Sequence, residues 1–109
     1  MSWHIELSRQ AKQDIRDIYE YISFVFSAPE TAKKQIRRIL QKVDSLNEMP
    51  MRYRLYYEEP WHSKGLRFLP VDNYLIFYIP DSESFTVNIV RIIYGRRNIE
   101  EQLNRLIGF

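Results

Sequence analysis

Residues 66–103, LRFLPVDNYLIFYIPDSESFTVNIVRIIYGRRNIEEQL, decide the fold. Three apolar runs appear in it, separated by Asp72-Asn73 and by Pro80-Asp81-Ser82-Glu83-Ser84. The runs are rich in β-branched and aromatic residues and too short for helices, so they predict an antiparallel meander of strands. Tyr74 to Ile79 is apolar on both faces, as a central strand covered on two sides requires. The third run ends at Tyr94-Gly95-Arg96-Arg97, where the glycine permits a bend and two guanidinium groups meet beside a phenol. Cations that follow a buried strand directly are held by a fixed backbone while their heads stay in water, which makes this strand end a candidate working surface.

Upstream, Trp3, Ile5 and Leu7 alternate with His4 and Glu6, the pattern of a half-buried strand. Ser8 is placed to cap a helix whose apolar stripe is Ala11, Ile15, Ile18, Ile22 and Phe26. Tyr19, Tyr21, Phe24 and Val25 widen that stripe beyond what one sheet face needs. Either they pack on a second helix or they meet a partner. Ser27 and Glu30 have capping-box spacing, with Pro29 in a first turn where its missing donor costs nothing. Ala32, Ile36, Ile39, Leu40, Val43 and Leu46 form the second stripe, opposite Lys33, Lys34, Arg37, Arg38 and Gln41, and Pro50 ends the helix. The short connection makes a helical hairpin. Met49 to Lys64 has no clear period and is expected to be irregular, with a short strand over Arg52–Tyr56. Asn98 is placed to cap a last short helix whose apolar face is Ile99, Leu103, Leu106 and Ile107, with Glu100 and Glu101 at its positive end. The expected class is α+β: an N-terminal strand, an antiparallel helical hairpin packed on a mainly antiparallel sheet, the meander and a short helix.

The 109 residues suit one domain over 1–109, with 45% apolar and 28% charged residues. No run approaches the roughly 20 apolar residues of a membrane span, no signal pattern opens the chain, and there is no cysteine, all of which fit the cytoplasm. Net charge is only +2, but arginines occur in pairs at Arg37-Arg38 and Arg96-Arg97, suited to carboxylate or phosphate. His4 and His62 stand far apart without metal-ligand spacing, the three glycines are isolated, and no serine lies in a nucleophile elbow. No metal or cofactor is expected. Cleavage of RNA would need a base, an acid and cations for the phosphorane. Arg67, Arg91, Tyr94, Arg96, Arg97, His62, Glu58 and Lys64 supply those types, though spacing alone does not make them converge. Arg91, inside an apolar strand, could equally be an edge-strand gatekeeper or an ion-pair partner of Glu6.

Gly65-Leu66-Arg67, Asn73-Tyr74-Leu75-Ile76-Phe77-Tyr78 and Arg91-Ile92-Ile93-Tyr94-Gly95-Arg96-Arg97-Asn98-Ile99 resemble the RelE/ParE toxin superfamily of type II toxin–antitoxin modules, in particular its ParE, plasmid-stabilisation branch. The resemblance implies a growth-inhibiting toxin, bound by a cognate antitoxin and poisoning DNA gyrase. It implies contact with operator DNA only through that antitoxin, and no membrane. The superfamily's ribosome-dependent messenger-RNA endoribonucleases carry an arginine early in the strand matching Tyr74 to Tyr78 and a catalytic tyrosine or histidine near the C-terminus. Here those places hold Leu75 and a segment, Leu103 to Phe109, whose only aromatic is Phe109. ParE relatives also commonly have arginine at the Leu75 position. Leu75 thus weakens the ribonuclease reading without selecting gyrase, while the long helical hairpin resembles the ParE branch, whose members poison gyrase. Gyrase poisoning is the first expectation and ribosome-bound messenger-RNA cleavage the alternative, with Arg67, Arg91, Tyr94, Arg96 and Arg97 as its residues. A toxin fold kept only to bind antitoxin is a third. Tyr94, Arg96 and Arg97 are expected to meet the target, and Tyr19, Phe24, Phe26, Arg67 and Arg91 the antitoxin.

Overall fold

A computed structural model describes residues 2–104. Strand β1 (His4–Leu7) leads into helix α1 (Arg9–Val25), and α2 (Pro29–Asp44) returns beside it. Strands β2 (Arg67–Val71), β3 (Tyr74–Asp81) and β4 (Thr86–Tyr94) then form the meander, and α3 (Ile99–Asn104) follows. The sheet order is β1-β4-β3-β2, with β1 parallel to β4 and the other pairs antiparallel. This is the expected α+β architecture.

Ser8 starts α1 and ties it to the sheet. Its Oγ accepts the Ala11 N–H at 2.9 Å and donates to the Val90 carbonyl at 2.8 Å. From there Ala11, Ile18 and Ile22 bury one stripe, which with Ala32, Ile39 and Val43 of α2 covers one sheet face at Val71, Ile76, Tyr78, Val87, Ile89 and Ile92. Each buried valine or isoleucine side chain among these contributes about 1.5–3 kcal/mol.

The other face has its own core. Phe77 and Ile93 point away from the hairpin and are covered by Tyr56, Trp61 and Leu66 of the irregular segment and by Leu103 of α3. β3 is thus an interior strand covered on both sides, as its sequence requires. Successive residues can serve opposite cores because side chains alternate across a strand. A register shift at Phe77/Tyr78 lets β4 follow the twist.

Two local expectations are corrected. The capping box does not form: Ser27 takes a left-handed φ of 49°, which ends α1 tightly, and Ala28 becomes the N-cap with no side-chain hydrogen bond. Pro29 does occupy the first turn. The strand over Arg52–Tyr56 shrinks to a single bridge, Leu55 to Arg67, after a 3-10 turn at Pro50–Arg52. Backbone bonds flank that bridge, from Tyr56 N–H to Leu66 O at 2.7 Å and from Phe68 N–H to Arg54 O at 3.2 Å, and side chains hold the segment just before it. The Tyr78 hydroxyl donates to Pro50 O at 2.6 Å, and Arg67 Nη1 donates to Met51 O at 3.0 Å and Tyr53 O at 2.6 Å.

Asn98 caps α3 as its sequence suggests, its Oδ1 accepting the Glu101 N–H at 3.0 Å. Leu106, Ile107 and Phe109 lie outside the described residues. Among the described residues no helix is long and apolar enough to cross a membrane.

Candidate functional site

The hairpin turn between β2 and β3 and the end of β4 are locked together. Asp72, at a left-handed φ of 55°, is held from α2 by Arg38 at 2.6 Å and by Gln35 at 3.0 Å. Next to it, Asn73 O accepts the Gly95 N–H at 2.8 Å. A Cβ at Gly95 would stand 3.3 Å from that oxygen and 3.8 Å from Leu75 Cγ, so the glycine permits this close approach. Directly above, Tyr74 and Tyr94 are cross-strand partners with ring centroids 5.7 Å apart.

Those rings form one wall of a groove of about 790 Å³ between the sheet end and the hairpin. Tyr21, Ile22 and Phe26 form the opposite wall, and Asp17, Gln35 and Arg97 bring polar atoms to it. Tyr21 and Phe26 meet edge-to-face at 5.6 Å. Burial pushes the Tyr74 phenol above its ordinary value, and Tyr94 and Tyr21 add to the shift. It therefore serves this groove as a neutral hydrogen-bonding group. A concave surface with apolar walls and a few polar groups is the usual form of a recognition site.

The proposed target residues Tyr94, Arg96 and Arg97 are all exposed, with Tyr94 and Arg97 in the groove and Arg96 outside its lining. Among the described residues neither Arg96 nor Arg97 forms an ion pair with Glu100. Phe24 and Phe26, at the end of α1 and just beyond it, are 79% and 63% exposed, so these aromatics are not buried against α2. Tyr19 is half-buried against the hairpin-side core.

Arg91 is only 6% exposed. Its Nε and Nη2 donate to Asp14 Oδ2 and Oδ1 at 2.8 and 2.9 Å, and its Nη1 donates to Gln102 O at 3.2 Å. The ion-pair partner is Asp14, while Glu6 bonds His4 at 2.7 Å. Arg67 is committed to the Met51 and Tyr53 carbonyls. His62, Glu58 and Lys64 sit on the segment over the second core, outside the groove lining. Of the residue set considered for RNA cleavage, only Arg91, Tyr94 and Arg97 come together, and Arg91 is already neutralised. Asp14, Asp17, Tyr21 and Tyr74 joined the site without being singled out for it. An acid inside the apolar stripe of α1 was the available signal for Asp14. Among the described residues no group of three or more His, Asp or Glu side chains is placed to hold a metal ion.

Residues 5–99 match the model of a family described as the ParE toxin of the type II toxin–antitoxin system, parDE. The chain belongs to this family. Solved structures agree on the fold of this ParE-family chain. The chromosomal ParDE system from P. aeruginosa superposes with a TM-score of 0.67 at 22% identity, covering 85% of this chain and 96% of that one. The RelBE2 toxin–antitoxin complex from Mycobacterium tuberculosis gives 0.64 at 17%, covering 86% and 92%. The archaeal RelE–RelB complex from Pyrococcus horikoshii OT3 gives 0.60 at 13%, covering 89% and 99%. The comparison with curated proteins returned no match.

Proposed function

We propose that this ParE-family toxin inhibits growth by poisoning DNA gyrase, with Tyr94, Arg96 and Arg97 meeting the target, and that a cognate antitoxin neutralises it. The observation that carries the choice of target is the state of Arg91. Phosphorane stabilisation needs cations aimed at a reacting phosphate, and an arginine sealed against a carboxylate offers none. Leu75 packs against the second core, and Arg67 holds a loop. The remaining free donors suit binding better than catalysis.

The antitoxin reading draws on family membership and on the P. aeruginosa and M. tuberculosis neighbours, which come from toxin–antitoxin systems. The exposed Phe26, lining the groove, and the exposed Phe24 nearby in the chain suit an amphipathic segment of a protein partner.

Two assays on the same induced protein decide between targets. Purified gyrase with plasmid DNA is expected to accumulate cleaved complexes when the chain is added. Primer extension on messenger RNA from induced cells is expected to show no codon-phased cuts. The reverse pattern makes the chain a ribonuclease. Negative results in both, with antitoxin binding intact, leave an antitoxin-binding module.

A further inference from the structure

We propose that the outward face of α2 binds the phosphate backbone of double-stranded nucleic acid. Helix α2 carries Lys33, Lys34, Arg37, Arg38 and Lys42 against only Glu30 and Asp44, a balance of +3 on a chain whose total is +2. The positive excess of the whole chain therefore sits on one helix. All five cations are exposed. They fall on two neighbouring rows, Lys33–Arg37 and Lys34–Arg38–Lys42, each stepping four residues. At 1.5 Å per residue the band is about 14 Å long.

No acid interrupts the band between Glu30 and Asp44. Arg38 is held by Asp72 at 2.6 Å, and Lys33 lies 3.6 Å from Glu30. Lys34, Arg37 and Lys42 have no ion-pair partner among the described residues. The opposite side of the helix is anchored in the core by Ala32, Ile39 and Val43, so the cations project from a rigid support. A ligand with regularly repeated charge matches that array, and duplex DNA presents one charge per about 1.7 Å of its axis. An acidic amphipathic helix would want an apolar seam along the cations; Tyr19, Ile36 and Leu40 border the Lys33–Arg37 row, but the longer row Lys34–Arg38–Lys42 has none. A single strand would want several stacking rings, and among the described residues lining the hollow beside the band the one aromatic is the half-buried Tyr19 of α1.

Binding of the purified chain to a fluorescein-labelled duplex of mixed sequence, followed by anisotropy over a range of salt, tests this without gyrase or antitoxin. Three phosphate contacts predict a slope of log K against log salt of about −3. Replacing Lys34→Ala and Arg37→Ala together should flatten that slope by about 2. Arg54→Glu changes net charge by the same amount from outside the band and should leave the slope unchanged. Absence of binding at about 50 mM salt, equal flattening by both variants, or displacement of the duplex by poly-glutamate as readily as by unlabelled duplex would each overturn the proposal. The last outcome would assign the face to an acidic protein. Growth inhibition through Tyr94, Arg96 and Arg97 is read by other assays, so either idea can fail alone.

Discussion

Asp14 Oδ2 accepts both Arg91 Nε, at 2.8 Å, and the Ile92 backbone N–H, at 2.9 Å. The double role follows from the sheet. β1 pairs with β4 only as far as Ile89, leaving the next stretch of β4 without a strand on that side. Asp14 stands in for the missing strand and satisfies a ladder donor from α1. Arg91 neutralises the carboxylate and also bonds Gln102 O on α3, so one guanidinium joins both helical layers to the sheet.

Replacing Asp14→Ala strands a buried cation and a buried N–H. The expected loss is about 3–5 kcal/mol of unfolding free energy, read from the midpoint of urea denaturation. A change under about 1 kcal/mol would mean that water already reaches the pair.

Tyr78 gives the fold an alkaline limit. Burial pushes its phenol from 10.0 to about 12, with Arg67 opposing the shift. The folded chain therefore favours the neutral phenol. Its stabilising contribution is complete below pH 10.0 and is lost as pH rises through about 12. Tyr78→Phe removes the bond to Pro50 O and should cost about 1 kcal/mol at neutral pH while flattening the fall in stability across that window. Thermal melts of both proteins against pH check this. An equally steep fall in the variant would assign the effect to Tyr56 and Tyr74, which are also raised.

Phe26 is the aromatic most suited to anchoring an antitoxin, since it is exposed and lines the groove. Phe26→Ser should leave the melting temperature within a few degrees yet weaken binding of the co-encoded antitoxin at least tenfold by calorimetry, as loss of an interface anchor does. Unchanged affinity would move the antitoxin away from this wall.

An Arg96→Ala, Arg97→Ala double variant should fold normally, because both side chains are exposed and unpaired among the described residues. It should still bind antitoxin and should no longer arrest growth on induction. Growth curves, with circular dichroism as the folding control, read this out. A well-folded double variant that arrests growth fully places the toxic surface elsewhere.

The meander and the hairpin were legible because their signals are local. Alternating runs broken at Asp72-Asn73 and apolar residues stepping three and four along α1 and α2 depend only on neighbours in the chain. What escaped was tertiary. Nothing near Arg91 announces Asp14, and only folding brings Tyr21 opposite Tyr74. The Ser27–Glu30 capping box failed for a conformational reason: its spacing was right, but the tight connection required a positive φ at the residue meant to cap. At Arg52–Tyr56 the pairing is reduced to one bridge at Leu55, with Arg67 Nη1 taking the Tyr53 carbonyl.

The parallel pairing of β1 with β4 also bears on how the protein is made. Thr86, the partner of His4, is synthesised only after α1, α2 and two other strands, and the Ser8 to Val90 bond spans 82 positions. Loop closure over that separation is slow, and until it occurs the two helical stripes lack much of the sheet they cover. A ribosome-bound or prematurely ended chain would therefore expose those stripes as a target for chaperones and proteases. The groove needs α1, Tyr74 and Tyr94 together, so it cannot form before Tyr94 has been made. A chain stopped before Tyr94 therefore has no such groove.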